Sequence, residues 1–146
     1  MYNYTLTTDF DRKNLIQKAL DNISHAYAPY SHFHVSAAVL MSDGKVYTGV
    51  NVENASYPAG ICAERNAIFH AIAQDKAAKL VAVAIVGGAD GKIQDYCAPC
   101  GVCRQVMREF GNPQEITVIM AKSTTDYQEM TLGELLPMSF GPEFLT

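Results

Sequence analysis

Apolar residues recur at the spacing of an α-helix in three segments of the chain, 9–24, 62–73 and 100–110. Steps of three and four residues put such side chains on one helix face, so each segment predicts an amphipathic helix. Either Thr8 or Asp9 is expected to cap the start of the first helix. The apolar positions of that first helix are Leu15, Ile16, Ala19, Leu20 and Ile23.

Between the first two helices the pattern changes to that of a hairpin. Two apolar runs, 34–41 and 46–52, flank the dipeptide Asp43-Gly44. Asp-Gly between two apolar runs is a strong hairpin signal, because both residues accept the backbone angles of a tight turn. Further along, the run 80–86 is apolar throughout, which is typical of a strand covered on both faces.

The last third of the chain completes the pattern with strands at 116–121 and, more weakly, 127–130, followed by a short helix at 132–135. The order of elements predicts an α/β fold, a three-layer α/β/α sandwich with a mixed five-stranded sheet. No repeat or linker divides the sequence, so we expect residues 1–146 to form a single domain. Ligand sites in such folds lie at strand ends, near the residues where helices begin.

Charge and composition narrow the class of protein. The chain has 11 Lys and Arg against 15 Asp and Glu, a formal net charge of −4, and 49% hydrophobic residues. Binding to nucleic acid normally needs a basic face, so we expect no nucleic-acid partner. No apolar run reaches the roughly 18 residues of a membrane span, and the N-terminus lacks the layout of a signal peptide. We therefore expect no membrane partner, a cytoplasmic location and a small-molecule substrate.

The cysteines carry the strongest chemical signal in the sequence. Three of the four, Cys97, Cys100 and Cys103, lie within seven residues, and the fourth is Cys62. Clustered cysteines in a reduced protein indicate a metal site or a redox pair rather than a disulfide framework. Two of the predicted helices begin at Cys62 and Cys100, where the positive end of the helix dipole favours the thiolate that binds metal.

Three thiolates around Zn²⁺ leave the fourth tetrahedral position for water, which is the coordination of a catalytic site. Glu64, two residues from Cys62, could take a proton from that water and return it to a substrate. Such a pairing suits hydrolysis of an amine, because ammonia leaves poorly unless it is protonated. Including Cys97 gives alternatives, namely a closed four-cysteine zinc site, an iron–sulfur cluster or a redox pair.

Five blocks of the sequence resemble the cytidine deaminase family, in its small, homotetrameric, three-cysteine zinc branch. The blocks are CAER at 62–65, PCGVCRQ at 99–105, YAPYSHF at 27–33, NVENA at 51–55 and ELLPMSF at 134–140. They span nearly the whole chain and stand in the family's order. Zinc deaminases carry this signature with either His or Cys as the first ligand.

For the metal centre the resemblance implies one Zn²⁺ per chain, bound by Cys62, Cys100 and Cys103, with Glu64 as the proton shuttle. Cys97 then becomes a packed thiol. Three thiolates and Zn²⁺ carry a net charge of −1, so a cation against the sulfurs would offset it. The family favours Arg65 for that role, while Arg104 stays a second candidate.

For the substrate the resemblance implies a free nucleoside. Asn51 and Glu53 match the positions that hold the ribose hydroxyls, and Phe33 matches the aromatic residue that stacks against the pyrimidine. Tyr57 lies in the loop that closes towards the sugar, and Ala63 can offer its backbone N–H to the base carbonyl.

A homotetramer is also implied, in which Phe140 of each chain reaches over the base bound by a neighbouring subunit. The activity implied is hydrolysis of cytidine or 2′-deoxycytidine to uridine or deoxyuridine plus ammonia, in pyrimidine salvage. Three alternatives share the zinc motif: a deaminase of cytosine in nucleic acid, a deaminase of a nucleoside antibiotic, and a structural zinc module without turnover.

Overall fold

A computed structural model describes residues 9–146 of the chain. Within that range the α-helices are α1 (Arg12–Asn22), α2 (Ala63–Gln74), α3 (Gly101–Glu109) and α4 (Leu132–Leu135), and the strands are β1 (Phe33–Met41), β2 (Val46–Val50), β3 (Leu80–Ala89), β4 (Thr117–Ala121) and β5 (Tyr127–Thr131). None of these helices is long and apolar enough to cross a membrane.

The five strands form one mixed sheet in the order β2-β1-β3-β4-β5. The hairpin partner β2 pairs antiparallel with β1, which also pairs antiparallel with β3. The β3–β4 pair is parallel, and α3 lies in the crossover between them. The edge strand β5 returns antiparallel to β4. The predicted α/β fold with a mixed five-stranded sheet is therefore confirmed.

Each face of the sheet buries its own hydrophobic core, as the alternation along β1 illustrates. Ala37, Val39 and Met41 pack into a cluster with residues of α2 and α3. Ala38 and Leu40 point to the opposite face, where they pack against α1. Successive side chains of a strand point to opposite faces, so a strand covered on both sides is apolar throughout. This arrangement gives the three layers expected from the sequence.

The first helix begins later than its sequence pattern indicated. Asp11 is the N-cap of α1, and its Oδ1 accepts a hydrogen bond of 2.9 Å from the backbone N–H of Asn14. The expected cap Asp9 is therefore wrong, and the alternative, Thr8, lies outside the described residues. The first backbone N–H groups of a helix have no partner within the helix, and an N-cap carboxylate can accept a hydrogen bond from one of them. Asp11 has this role.

The second strand ends earlier than expected, and this shapes the site. The apolar run 46–52 predicted a longer strand, but β2 ends at Val50. Val52 instead forms isolated bridges with Tyr27 and Ile61. The chain thus leaves the sheet after β2 and stays paired with the segments on either side, which fixes the backbone at the rim of the sheet.

Gly49 of β2 lets α2 approach the sheet at backbone distance. A Cβ at this position would lie 2.5 Å from the backbone N of Ala67 and 2.7 Å from the backbone O of Ala63. Both distances are far below van der Waals contact, and both atoms belong to the rigid backbone of a helix. Gly49 therefore sets the depth at which the first turn of α2 rests on the sheet.

We predict that Gly49→Ala lowers the free energy of unfolding by about 1–3 kcal/mol, because α2 would have to move away from β2. Gly101→Ala is the matched control, since a Cβ there meets no described atom within 4 Å apart from its chain neighbours and the backbone of its own helix. That control should change stability by less than about 1 kcal/mol. Chemical denaturation of both variants and the wild type makes the comparison. An unchanged midpoint for Gly49→Ala would contradict the close packing.

Candidate metal centre and substrate cavity

A cavity of about 620 Å³ opens where β2 ends and where α2 and the segment before α3 begin. Its lining includes most of the site residues expected from the sequence, together with residues of the 27–33 block. The expected residues are Asn51, Glu53, Tyr57, Cys62, Ala63, Glu64, Arg65 and Cys100. A cavity of this size is in the range that holds a small-molecule ligand.

Three cysteine sulfurs form a cluster beside this cavity: Cys62 and Cys100 line it, and Cys103 is buried behind them. Cys62 is the N-cap of α2 and Cys100 is the N-cap of α3, and neither side chain caps its own helix. The Sγ atoms of Cys62 and Cys100 are 3.8 Å apart, and those of Cys100 and Cys103 are 3.5 Å apart. All three lie within 4.8 Å of one another. Sulfurs bound to one tetrahedral zinc at about 2.3 Å lie about 3.8 Å apart, so this donor set fits that metal.

The surroundings of the sulfurs favour a negative charge on Cys62. Hydrogen bonding from the Cys103 thiol lowers the pKa of Cys62 to about 5, with further help from Arg65 and Cys100. The Arg65 guanidinium donates through Nη2 to the Cys62 sulfur at 3.4 Å. The same pairing, with burial, raises the pKa of Cys103. A thiolate held in this way is the form that ligates metal, and Arg65 stands where it offsets the charge of the sulfur cluster.

Glu64 presents a buried carboxyl to the same cavity. It lies in the first turn of α2, and only 4% of its surface is exposed. Burial is the main cause that raises the pKa of Glu64 to about 7, and the negative charge of Cys62 adds to the effect. A carboxyl group with a pKa near neutrality can both take up and release a proton at physiological pH.

Asn51 and Glu53 are oriented by hydrogen bonds to neighbouring backbone. Asn51 donates through Nδ2 to the carbonyl of Phe33 at 2.8 Å and accepts through Oδ1 from the N–H of Val35 at 2.9 Å. Glu53 accepts through Oε1 from the N–H groups of Tyr30, at 3.0 Å, and Ser31, at 3.1 Å. The Ser31 hydroxyl also bonds to Glu53 and is the main cause that lowers the pKa of this carboxyl.

Two expected substrate contacts lie outside the cavity of their own chain. Phe33 lines a smaller neighbouring cavity of about 190 Å³, which shares Cys97 with the larger one. Phe140 is 55% exposed and stacks on Phe144, with ring centroids 5.0 Å apart. Within one chain, therefore, neither phenylalanine ring is brought to the cavity that holds the sulfurs.

An aromatic residue that sequence reasoning missed does line the main cavity. Tyr30 lies beside Tyr57, with ring centroids 6.2 Å apart in an edge-to-face arrangement. The signal was present, because Tyr30 belongs to the 27–33 block that carried the family resemblance. Periodicity could not identify it, since the residue lies in a turn between elements rather than on a patterned strand or helix.

The structure separates the roles of Cys97 and Arg104 from those of the sulfur cluster. Among residues 9–146, the group of metal-ligating side chains contains three cysteines and not Cys97. Burial raises the pKa of the Cys97 thiol to about 11, which disfavours a thiolate. Arg104 donates to the carbonyls of Pro99, at 2.8 Å, and Leu135, at 2.7 Å. Arg104 therefore ties the segment before Cys100 to the end of α4.

A three-thiol metal centre beside a buried carboxyl, set at helix starts of an α/β sandwich, defines a class of metal-dependent enzymes. The family model described as the cytidine and deoxycytidylate deaminase zinc-binding region matches residues 10–120. Relatives are similar over nearly their whole length: a cytidine deaminase of Halalkalibacterium halodurans is 44% identical over 91% of this chain and 96% of its own. The chain belongs to the cytidine and deoxycytidylate deaminase family.

Solved structures agree with this assignment. The crystal structure of cytidine deaminase from Burkholderia pseudomallei has a TM-score of 0.76 and 43% identity, over 87% of this chain and 97% of its own. That of cytidine deaminase from Mycobacterium tuberculosis has a TM-score of 0.75 and 38% identity, over 91% of this chain and 99% of its own. The family resemblance found in the sequence and the fold expected from it are confirmed.

The arrangement of the cysteines yields a test of the metal centre. Cys97→Ser should retain about one zinc per chain, because its sulfur is outside the cluster, whereas Cys100→Ser and Cys103→Ser should lose the metal. Metal analysis of the purified variants against the wild type measures the difference. Loss of zinc from Cys97→Ser to the same extent as from the other two would favour a four-cysteine site.

Proposed function

We propose that this protein catalyses the zinc-dependent hydrolytic deamination of cytidine and 2′-deoxycytidine to uridine and deoxyuridine plus ammonia, in pyrimidine salvage. The observation that carries the proposal is the buried carboxyl of Glu64, which lines the same cavity as Cys62 and Cys100, two of the three clustered cysteines. The family membership and the related cytidine deaminases support the choice of substrate.

Cys62, Cys100 and Cys103 would hold the zinc, and Arg65 would offset part of the charge of the thiolates. When bound, zinc acts as a Lewis acid that makes water a nucleophile near neutral pH. The distances between the sulfurs and the hydrogen bond from Arg65 to Cys62 support this assignment.

Glu64 accepts and donates the protons that the reaction transfers. Its carboxylate takes one proton from the attacking water and delivers it to N3 of the pyrimidine, while the hydroxide adds to C4. Glu64 then takes the remaining proton of the added hydroxyl and transfers it to the amino group. The C4–N bond breaks, ammonia leaves, and C4 becomes the carbonyl of uridine. A carboxyl whose pKa is raised to about 7 by burial suits both transfers.

The remaining cavity residues fit a nucleoside. Asn51 and Glu53 would bind the ribose hydroxyls, and hydrogen bonds from Ser31 and Tyr30 lower the pKa of Glu53 and so keep it in the carboxylate form that accepts hydrogen bonds. Ala63 is the first residue of α2, where backbone N–H groups have no partner within the helix, so its N–H is available to the base carbonyl. Tyr57 lines the same cavity on the sugar side, and Phe33 is assigned to the base by the family resemblance alone.

The assembly proposed is a homotetramer in which Phe140 completes the site of a neighbouring copy. An exposed pair of stacked phenylalanines near the end of the chain supports this, because such apolar surface is commonly buried between subunits.

A cytoplasmic location stays a prediction from the sequence, consistent with ligand cysteines that need a reducing compartment. The single domain over residues 1–146 is likewise a prediction.

The test of the proposed function is ammonia release from a panel of nucleosides, with and without a zinc chelator. Wild type should deaminate cytidine and deoxycytidine, and cytosine in single-stranded DNA or RNA should not react. Glu64→Ala should keep zinc and fold but lose activity by several orders of magnitude, because both proton transfers depend on this carboxyl. Glu115→Ala, which removes an exposed carboxylate far along the chain, is the control.

Two results would refute this proposal. Turnover of Glu64→Ala close to that of wild type would show that another group moves the protons. Deamination of single-stranded nucleic acid in preference to free nucleosides would instead favour the nucleic-acid deaminase alternative, against the acidic charge of the chain.

We predict that Phe140→Ala weakens nucleoside binding while leaving the zinc content unchanged, because the ring would contact the base and not the metal. The measurement is KM for cytidine, together with metal analysis and the mass from light scattering. A fully active sample with the mass of a monomer would contradict a site shared between subunits.

A further inference from the structure

Arg108 is a buried cation that the deamination chemistry does not use. It lies near the end of α3, and only 5% of its surface is exposed. Burying a guanidinium is costly unless charged and polar partners replace the water that it loses. The partners of Arg108 therefore indicate what its burial accomplishes.

Those partners include residues of one short segment near the end of the chain, residues 139–144, called here the tail segment. The Arg108 Nε donates to the Ser139 hydroxyl at 2.8 Å, and Nη2 forms an ion pair with the Glu143 carboxylate. Gly141 lies directly against the guanidinium, so that a Cβ there would be 2.3 Å from Cζ. The tail segment thus wraps around the head of Arg108.

A second side chain of α3 holds the same segment. Gln105, one helical turn before Arg108, donates through Nε2 to the backbone carbonyl of Phe140 at 2.9 Å. The ion pair with Arg108 also lowers the pKa of Glu143, so this carboxylate stays charged at neutral pH. Gln105 and Arg108 therefore hold the tail segment on both sides of Gly141.

The result of this anchoring is a defined position for the aromatic pair. The rings of Phe140 and Phe144 stack at 5.0 Å with an angle of 16° between their planes, yet both are largely exposed. Two exposed apolar rings would not hold this short segment against the protein by themselves. The hydrogen bonds and the ion pair of α3 provide the attachment.

We propose that Arg108 is a positioning residue for the reaction: it fixes the tail segment on α3 so that Phe140 reaches the nucleoside bound by a neighbouring copy of this chain. The inference rests on the proposed function, because it assigns Phe140 to substrate binding. Arg108 acts through Phe140 and touches neither the substrate nor the metal.

A double-mutant cycle between Arg108→Gln and Phe140→Ala tests this coupling. Arg108→Gln should raise KM for cytidine on the order of tenfold, with kcat changed less than KM and zinc content unchanged. In the Phe140→Ala background the same substitution should raise KM by less than about twofold, because the ring that it positions is already absent. Arg12→Gln, which removes an ion pair with Glu129 on the sheet edge, is the matched control.

Milder variants and a second readout guard against loss of the fold. Glu143→Gln and Gly141→Ala should produce the same KM effect, the first by removing the ion pair and the second by displacing the guanidinium. Amide hydrogen exchange should show faster exchange in residues 139–144 of all three variants, while that of α2 stays unchanged.

Additive effects in the cycle, or a KM for Glu143→Gln and Gly141→Ala equal to that of wild type, would overturn the proposal. Unchanged exchange in the tail segment would overturn it as well. Absence of nucleoside turnover in wild type is a separate result: it refutes the proposed function, while the exchange measurement still decides whether Arg108 holds the tail segment.

Discussion

The site depends on one constraint: helices α2 and α3 must begin next to each other. The sulfurs of Cys62 and Cys100 can lie 3.8 Å apart only if α2 and α3 begin side by side. Gly49 lets α2 rest on the sheet at backbone distance, and the buried Met107 holds α3 against the same core. The hydrophobic core and the metal centre are therefore positioned by the same helices.

The two carboxyl groups of the cavity show how surroundings divide the chemical work. Glu64 lies in the first turn of α2, where the helix dipole favours a carboxylate, but burial outweighs that effect and raises its pKa to about 7. Glu53 is only partly buried and accepts hydrogen bonds from Ser31 and Tyr30, which lower its pKa. One carboxyl is thus suited to exchanging protons and the other to accepting hydrogen bonds from hydroxyl groups.

Much of the fold and the metal centre could be predicted from the sequence, because turn residues and helix-start residues mark the same element boundaries that the folded structure has. The dipeptide Asp43-Gly44 fixes the hairpin, and Pro99 before Cys100 marks a helix start with a ligand at its cap. The predicted end of β2 at residue 52 was wrong because of a tertiary contact. Val52 is apolar, but it pairs with Tyr27 and Ile61 outside the sheet, and no periodicity reports such a bridge.

Long-range polar contacts were the part that the sequence could not supply. From the sequence, Arg108 is expected to be an ordinary charged residue near the end of a helix. In the structure it is buried against residues more than thirty positions away. Arg104 likewise reaches Leu135, so both arginines of α3 join the helix to the last part of the chain. Contacts of this kind depend on where the chain returns after β5, which neither residue type nor spacing encodes.

These contacts give α3 two functions at its two ends. Its N-cap is Cys100 and its first turn carries Cys103. Its last turn carries Arg108, five residues beyond Cys103 and therefore about 7.5 Å along the helix axis. Cys62 and Cys103 pack in the hydrophobic core, while the tail segment is held by polar contacts with Gln105 and the buried Arg108. The tail segment and the metal ligands thus depend on different residues of α3, so substitutions can probe the two ends of the helix separately.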